Sequence, residues 1–211
     1  SIMKTAIPER YARTINNGLA LCVIMIGISG ALETQSTLLV IVSMVVGTVV
    51  GTALKIEERL GQLGDWAQKR FSHGGSRFSE GFVNATLLFG VGAMAVVGSL
   101  EAGLSNKPDT LLAKSALDGV FALIFASTFG PGVILAAVPL TLYQGGIALL
   151  ASAIEPYLTE ELIREMSAVG SVLILALGLN MLGVVKDGIR VGNMLPAMLV
   201  PLIYYPLASL F

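Results

Sequence analysis

One cysteine and one histidine leave this chain almost without the side chains that most often hold metals or attack substrates. Cys22 alone excludes an intrachain disulfide or a thiolate metal site, and inside an apolar run it reads as a small hydrophobe. His73 lies in "SHGGSR", a flexible polar turn, and reads as a solvated loop residue, because metal sites need several convergent ligands. HExxH, P-loop, GxSxG and dinucleotide-binding patterns are all missing. No Ser/His or paired-Asp arrangement sits within the apolar runs. The reading is therefore no enzyme: no catalytic residue, no metal and no cofactor. A net charge of −1 gives no reason to expect a nucleic-acid partner. The opening "SIMKTAIPER" has no basic-then-apolar signal peptide, and its first residue, Ser1, leaves room for an upstream segment or tag.

Charge is the scarcest commodity. Charged residues are 13% of the chain, where soluble domains carry about 25%, and hydrophobic residues are 55%, with a mean hydropathy of +0.81. Apolar runs of membrane-spanning length can be drawn at 15–32, 37–54, 81–100, 110–128, 131–153, 167–185 and 191–211. Each is near the roughly 20 residues a helix needs to cross about 30 Å of hydrocarbon. Continuous runs without strict alternation exclude a barrel, and lipid leaves helices as the way to satisfy the backbone. The expected fold is all-α: one transmembrane domain over 1–211, a polytopic bundle of about seven helices in a lipid bilayer. Among 24 glycines, Gly47 and Gly51 form a GxxxG, a dimer face or, the favoured reading, a packing face within the bundle.

Starting the N-terminus inside and alternating through the runs places Lys4, Arg10, Arg13, Lys55, Arg59, Lys69, Arg70, Arg77, Lys186 and Arg190 on one side. By the positive-inside rule that side is the cytoplasm. The other side receives Lys107 and Arg164 against Glu33, Glu101, Asp109, Glu155, Glu160, Glu161 and Glu165. Residues 55–80 form a cytoplasmic segment. Its first part, "KIEERLGQLGDWAQKRF", has Ile56, Leu60, Leu63 and Ala67 at helical spacing with Trp66 on their flank, which predicts an amphipathic helix in the interface plane. Glu57 and Glu58 at its start and Lys69 and Arg70 at its end suit the helix dipole.

Internal similarity adds an expectation. Asn16 to "GALE" (30–33) and Asn84 to "GSLE" (98–101) repeat at one spacing, and "TEELIREMSAVGSVLILALGLNML" is a weaker echo. The first lead falls inside and the third outside, the sign of an inverted repeat as in secondary transporters. Chance likeness among Gly-rich helices is the competing reading.

The stretches "IPER" (7–10), "EGF" (80–82), "GAMAVVGSLE" (92–101), "SALDGVFALIFASTFGPGV" (115–133), "YQG" (143–145), "EMSAVGS" (165–171), "LGLN" (177–180) and "VGNMLPA" (191–197) cover the chain from end to end. Together they resemble the YdfK/YqgA family of bacterial membrane proteins, domain of unknown function 554. The resemblance implies a multi-pass inner-membrane protein, uncharacterised or concerned with transport, and carries no catalytic residues. Members of that family have a further Gly-rich helix before "IPER"; with it the count becomes eight and the N-terminus lies outside.

Within the apolar runs the only charges are Lys114 and Asp118. Asp118 lies roughly 12 Å along its helix, where an ionised carboxylate costs about 2.5–3.5 kcal/mol and turns toward a partner or a wet cavity. Lys114, one turn earlier, is the expected partner, although it is shallow enough to snorkel outward. Asp118 is either a coupling carboxylate for a proton or cation, or a structural residue bonded to neighbouring helices. The break Ser127-Thr128-Phe129-Gly130-Pro131-Gly132 reads as a helix restart. It is either a plain hairpin at the cytoplasmic surface or a re-entrant tip whose N–H groups face the bundle. Pro139 predicts a kink before Tyr143 and Gln144. Asn84 and Asn180 complete the pathway candidates; as interhelical glue each is worth about 0.6 kcal/mol.

The expected function is a transport protein of the bacterial inner (plasma) membrane that moves a small solute or ion by alternating access. It is expected to work as a homo-oligomer, a dimer. An oligomeric pore and a non-transporting scaffold or regulator, whose partner would use helix 55–71, are the alternatives.

Overall fold

A computed structural model describes residues 9–71, 78–90, 93–105 and 108–208, and these residues are helical with short turns between them. His73 lies outside the described residues. The helices are α1 (Glu9–Ala31), α2 (Thr37–Ala53), α3 (Ile56–Phe71), α4 (Phe78–Gly90), α5 (Ala93–Ser105), α6 (Asp109–Phe129), α7 (Gly132–Leu135), α8 (Ala137–Leu149), α9 (Ala151–Ile154), α10 (Glu160–Leu182) and α11 (Val200–Ala208). A short 3₁₀ turn, Glu155–Tyr157, precedes α10, and a 3₁₀ segment, Val191–Leu199, precedes α11.

Local chemistry explains most boundaries. Ser36 caps α2 by accepting from Leu39 N at 3.3 Å, and Thr159 caps α10 by accepting from Leu162 N at 3.2 Å, each filling one of the donors a helix start leaves open. Gly183, in the left-handed region at φ 69°, ends α10 while its N–H bonds Asn180 O. The α2–α3 corner turns on Lys55, at φ 54°, an uncommon place for a residue with a Cβ.

The described residues do not bear out seven spans. Among the described residues four segments are long and apolar enough to cross a membrane: Arg13–Ala31, Asp109–Phe129, Gly132–Leu149 and Glu160–Leu182. Two bent pairs, if each is one span, raise the number among the described residues to six: Thr37–Ala53 with Ile56–Gln62, bent by 55°, and Phe78–Gly90 with Met94–Leu104, bent by 64°. The run drawn at 81–100 is therefore two half-length helices. The last run is a 3₁₀ segment followed by a nine-residue helix, since Pro196 and Pro201 withhold backbone donors that a continuous α-helix needs. The run drawn at 167–185 is also displaced: α10 starts at Glu160, so Glu165 is in its second turn.

The bundle sorts into two groups of helices. In the first, α1 packs along α10 and α2 packs along the segment Val191–Leu199. These contacts are backbone-close: a Cβ on Gly27 would lie 2.5 Å from Leu175 N, and one on Gly51 would lie 1.9 Å from Asn193 O. The Gly47/Gly51 face is thus occupied within the chain. In the second group, α4 packs on α7 and α5 on α8, with α6 against α4 and α5. The groups meet at an apolar seam that includes Leu19, Val23, Phe89, Phe125, Phe129 and Leu177, and α3 bridges them by touching α4 and the Val191–Leu199 segment.

Candidate functional site

Lys114 and Asp118 stand one turn apart on α6 and form a salt bridge with a hydrogen bond. Lys114 is 6% exposed, so it pairs with Asp118, as expected, and does not snorkel outward. The reason is the break after α4: Phe89 is one of its last residues, and its carbonyl accepts from Lys114 Nζ at 2.8 Å. A helix end leaves its last carbonyls without intrahelical donors and carries partial negative charge. The ammonium answers both, and Asp118, whose side chain is 31% exposed, balances the cation. A charged cluster thus sits on the break of a bent helix pair, the setting in which membrane proteins keep ionisable groups.

A cavity of about 400 Å³ lies at the end of the seam bordered by the start of α3, the start of α4 and the turn after α10. The first helix group and its following turn contribute Asn180, Met181, Asp187, Gly188, Ile189 and Arg190; the second contributes Ser79, Glu80, Val83 and Asn84; the bridging α3 contributes Glu57 and Gly61. Two of its walls are firmly built. Asn180 clasps the turn, with Nδ2 donating to Ile189 O at 2.7 Å and Oδ1 accepting from Ile189 N at 2.6 Å. Asn193 Oδ1 accepts from Glu57 N at 2.9 Å while Glu57 Oε2 accepts from Gly192 N at 2.5 Å, fixing the first turn of α3. The side-chain amide of Asn84 faces the cavity and makes no hydrogen bond among the described residues.

The remaining candidates lie elsewhere. Ser127 Oγ donates to Ile124 O at 2.6 Å on its own helix, and Gly130, at φ 81°, closes α6 with its N–H on Ala126 O at 2.9 Å. Pro131 precedes α7, as its fixed φ suits, and a Cβ on Gly132 would lie 2.0 Å from Phe78 O. The break containing half-buried Thr128 therefore packs on the start of α4. Tyr143 is 38% exposed and Gln144 half-buried on α8; neither lines the cavity. The kink assigned to Pro139 appears as the interruption at Ala136 that divides α7 from α8.

The sequence reading counted Glu165 only among the acids of the non-cytoplasmic side and gave it no role. It is fully buried. Its Oε2 accepts from Thr34 Oγ1 at 2.5 Å, its Oε1 accepts from Gln35 N at 2.9 Å, and Arg164 Nε lies 3.7 Å from Oε1. It thereby pins the α1–α2 turn to α10, at the end of the first helix group opposite the cavity. The N-cap signal of Thr159, six residues before it, would have put it inside a helix.

Among the described residues no group of three or more His, Cys, Asp or Glu could hold a metal ion. The profile of a family described as "Protein of unknown function (DUF554)" matches residues 1–206. The chain is 33% identical over 204 residues to the "Uncharacterized membrane protein YdfK" of Bacillus subtilis, covering 95% of this chain and 86% of that protein. It is 28% identical over 204 residues to the "Uncharacterized protein YqgA" of Escherichia coli, covering 94% and 86%. No solved structure matches the chain.

Proposed function

The chain belongs to the DUF554 family, and from that premise we propose that it is a carrier of the bacterial inner membrane that moves a small solute or ion by alternating access. The observation that carries this reading is where the cavity lies: its walls come from both helix groups, so a tilt of one group against the other changes its access. Phe89, Phe125 and Phe129 pack in the seam between the groups, with ring centroids 6.2 and 5.3 Å apart along the series. At the opposite end Glu165 holds the α1–α2 turn closed. The cavity lies beside Asp187 and Arg190, on the side that charge assigns to the cytoplasm, which supports a carrier open on that side. Lys114 and Asp118, at the break of α4, are the coupling pair.

Two further elements belong to this reading. The antiparallel pairing of α1 with α10, and of α2 with the segment leading to α11, supports an inverted repeat. Exposed Tyr143 and half-buried Gln144 put polar groups at the surface of apolar α8, which supports a homodimer that covers them.

Saturable, gradient-driven uptake into proteoliposomes is the test, with wild type and Asp118→Asn compared. Loss of coupled uptake in a folded Asp118→Asn protein is the expected result, and uptake near wild type would remove Asp118 from the mechanism. Single-channel currents would replace the carrier with a pore. Absence of flux, with a copurifying protein lost on deleting 55–71, would replace it with a scaffold.

A further inference from the structure

Helices α1 and α10 are clasped by hydrogen bonds at both ends. Between the clasps the contact runs over Gly27, Gly30 and Gly178, where the backbones come close without large side chains to interlock them. Beside the cavity, Asn16 Nδ2 donates to Met181 O at 3.0 Å, a bond between neutral groups. At the other end the clasp is the fully buried carboxylate of Glu165, and both of its hydrogen bonds go to the α1–α2 turn. The Thr34 hydroxyl that donates to Oε2 also accepts from Ser36 N at 3.0 Å, so its one hydrogen is the one given to Glu165. Both oxygens thus already face a donor. A proton added to Oε2 puts two hydrogens into one oxygen–oxygen contact of 2.5 Å, and one added on the bonded side of Oε1 meets the Gln35 N–H. Neutralisation also removes the charge assistance that makes such bonds about twice as strong as neutral ones, and the attraction of Arg164 Nε at 3.7 Å.

We propose that Glu165 is a proton-operated latch on the side opposite the basic one, which rests on the carrier reading for the gate it works. Ionised, Glu165 holds the α1–α2 turn on α10. A proton from the solution on that side adds to the carboxylate, the turn swings off, and Asn16 keeps the cavity ends of the two helices together; the proton returns to the same solution as the latch closes. The latch therefore holds at higher pH and releases as the pH falls. Arg164 is the one cation paired with Glu165. Of the elements packed on α10, α2 and the Val191–Leu199 segment carry no charged residue, and α11 carries tyrosines alone. The charges of α1 lie at its start, Glu80 of α4 lies at the cavity, and Glu101 of α5 accepts from Thr110 Oγ1. Glu160 and Glu161 are in the first turn of α10, and Glu33 of the α1–α2 turn is exposed.

The test reads the distance between spin labels at Leu32→Cys and Tyr157→Cys, both exposed sites, in a Cys22→Ala protein reconstituted in lipid nanodiscs. Double electron–electron resonance is recorded from about pH 8 to about pH 4, a range that spans carboxylate titration in folded proteins. Acidification should raise the long-distance population severalfold, reversibly, and Glu165→Gln should show the long distance at every pH. If that variant does not fold, Thr34→Val serves instead: it takes the hydroxyl donor from the charged form, so its long-distance fraction should exceed that of wild type wherever wild type is partly closed. One distance at every pH in wild type, a pH response that survives in Glu165→Gln, a Glu165→Gln turn closed throughout, or a Thr34→Val protein that matches wild type would overturn the proposal. A turn that opens on acidification in a protein that moves no solute would leave the latch standing and remove the carrier. Gradient-driven uptake through a turn that ignores pH would do the reverse.

Discussion

Lys114 Nζ reaches across from α6 to the carbonyl of Phe89 at 2.8 Å, so the cation of the buried pair is also the cap of a broken helix. The two roles make Lys114 harder to replace than Asp118. Lys114→Met leaves both the Phe89 carbonyl and Asp118 without their donor and should cost about 1–3 kcal/mol, less than the 3–5 kcal/mol of a fully buried pair because Asp118 keeps some access. Adding Asp118→Leu should recover part of the loss. Unfolding in a denaturant series measures both, and a double variant no more stable than the single one would contradict the pairing.

Glu165→Ala should destabilise by about 2–4 kcal/mol, since Thr34 Oγ1 and Gln35 N lose a charged acceptor in a buried site. Glu165→Gln keeps one acceptor oxygen and should cost less. Protease cleavage in the α1–α2 turn should rise in the same order, Ala above Gln above wild type. A turn equally resistant in all three proteins would show that something else holds it.

Gly51→Ala should be costly and Gly119→Ala close to neutral, although both glycines are helical. A Cβ at Gly51 meets the Asn193 carbonyl, and one at Gly119 meets nothing within 4 Å. Overpacking against backbone costs about 1–3 kcal/mol or more, and it would also disturb Asn193, which caps α3. Thermal unfolding of the two variants side by side decides the matter; equal melting temperatures would contradict the close approach.

Asn180→Leu should free the turn at 183–190 without unfolding the bundle. Two bonds to Ile189 are lost, worth about 0.5–1.5 kcal/mol each. Hydrogen exchange at Ile189 should quicken while the middle of α10 stays protected. Uniform quickening along α10 would mean that Asn180 supports the helix rather than the turn.

Much of the architecture was legible in residue pattern. Helix α3 follows the predicted 55–71 almost to the residue, because an amphipathic stripe with acid first and base last admits few other readings. The Lys114–Asp118 pair followed from cost alone: isolated charges in an apolar run must find each other or a polar group. The 64° bend between α4 and α5 was not legible, because glycines within an apolar run read as packing sites as readily as helix ends. Lys114 was read as able to snorkel because its alternative acceptor, a backbone carbonyl, carries no mark in sequence. Asn84 and Asn180 were singled out as polar residues in apolar runs, but only folding shows that both line one cavity and that Asn180 is already committed to Ile189. Glu165 was missed because hydropathy windows start where charges stop, and α10 starts with them.

The close pairing of α1 with α10 also sets an order of events during synthesis. Thr34 and Glu165 are 131 residues apart in the chain. At the roughly 5–20 residues per second of translation, about 7–26 s separate the two ends of this contact. Through that interval Gly27 and Gly30 lie bare, since the helix that will cover them has yet to leave the ribosome. The newborn α1 must therefore wait in the bilayer against lipid, an insertase or another nascent chain, and a mutation that gives those glycines a temporary partner would trap the protein before it is finished.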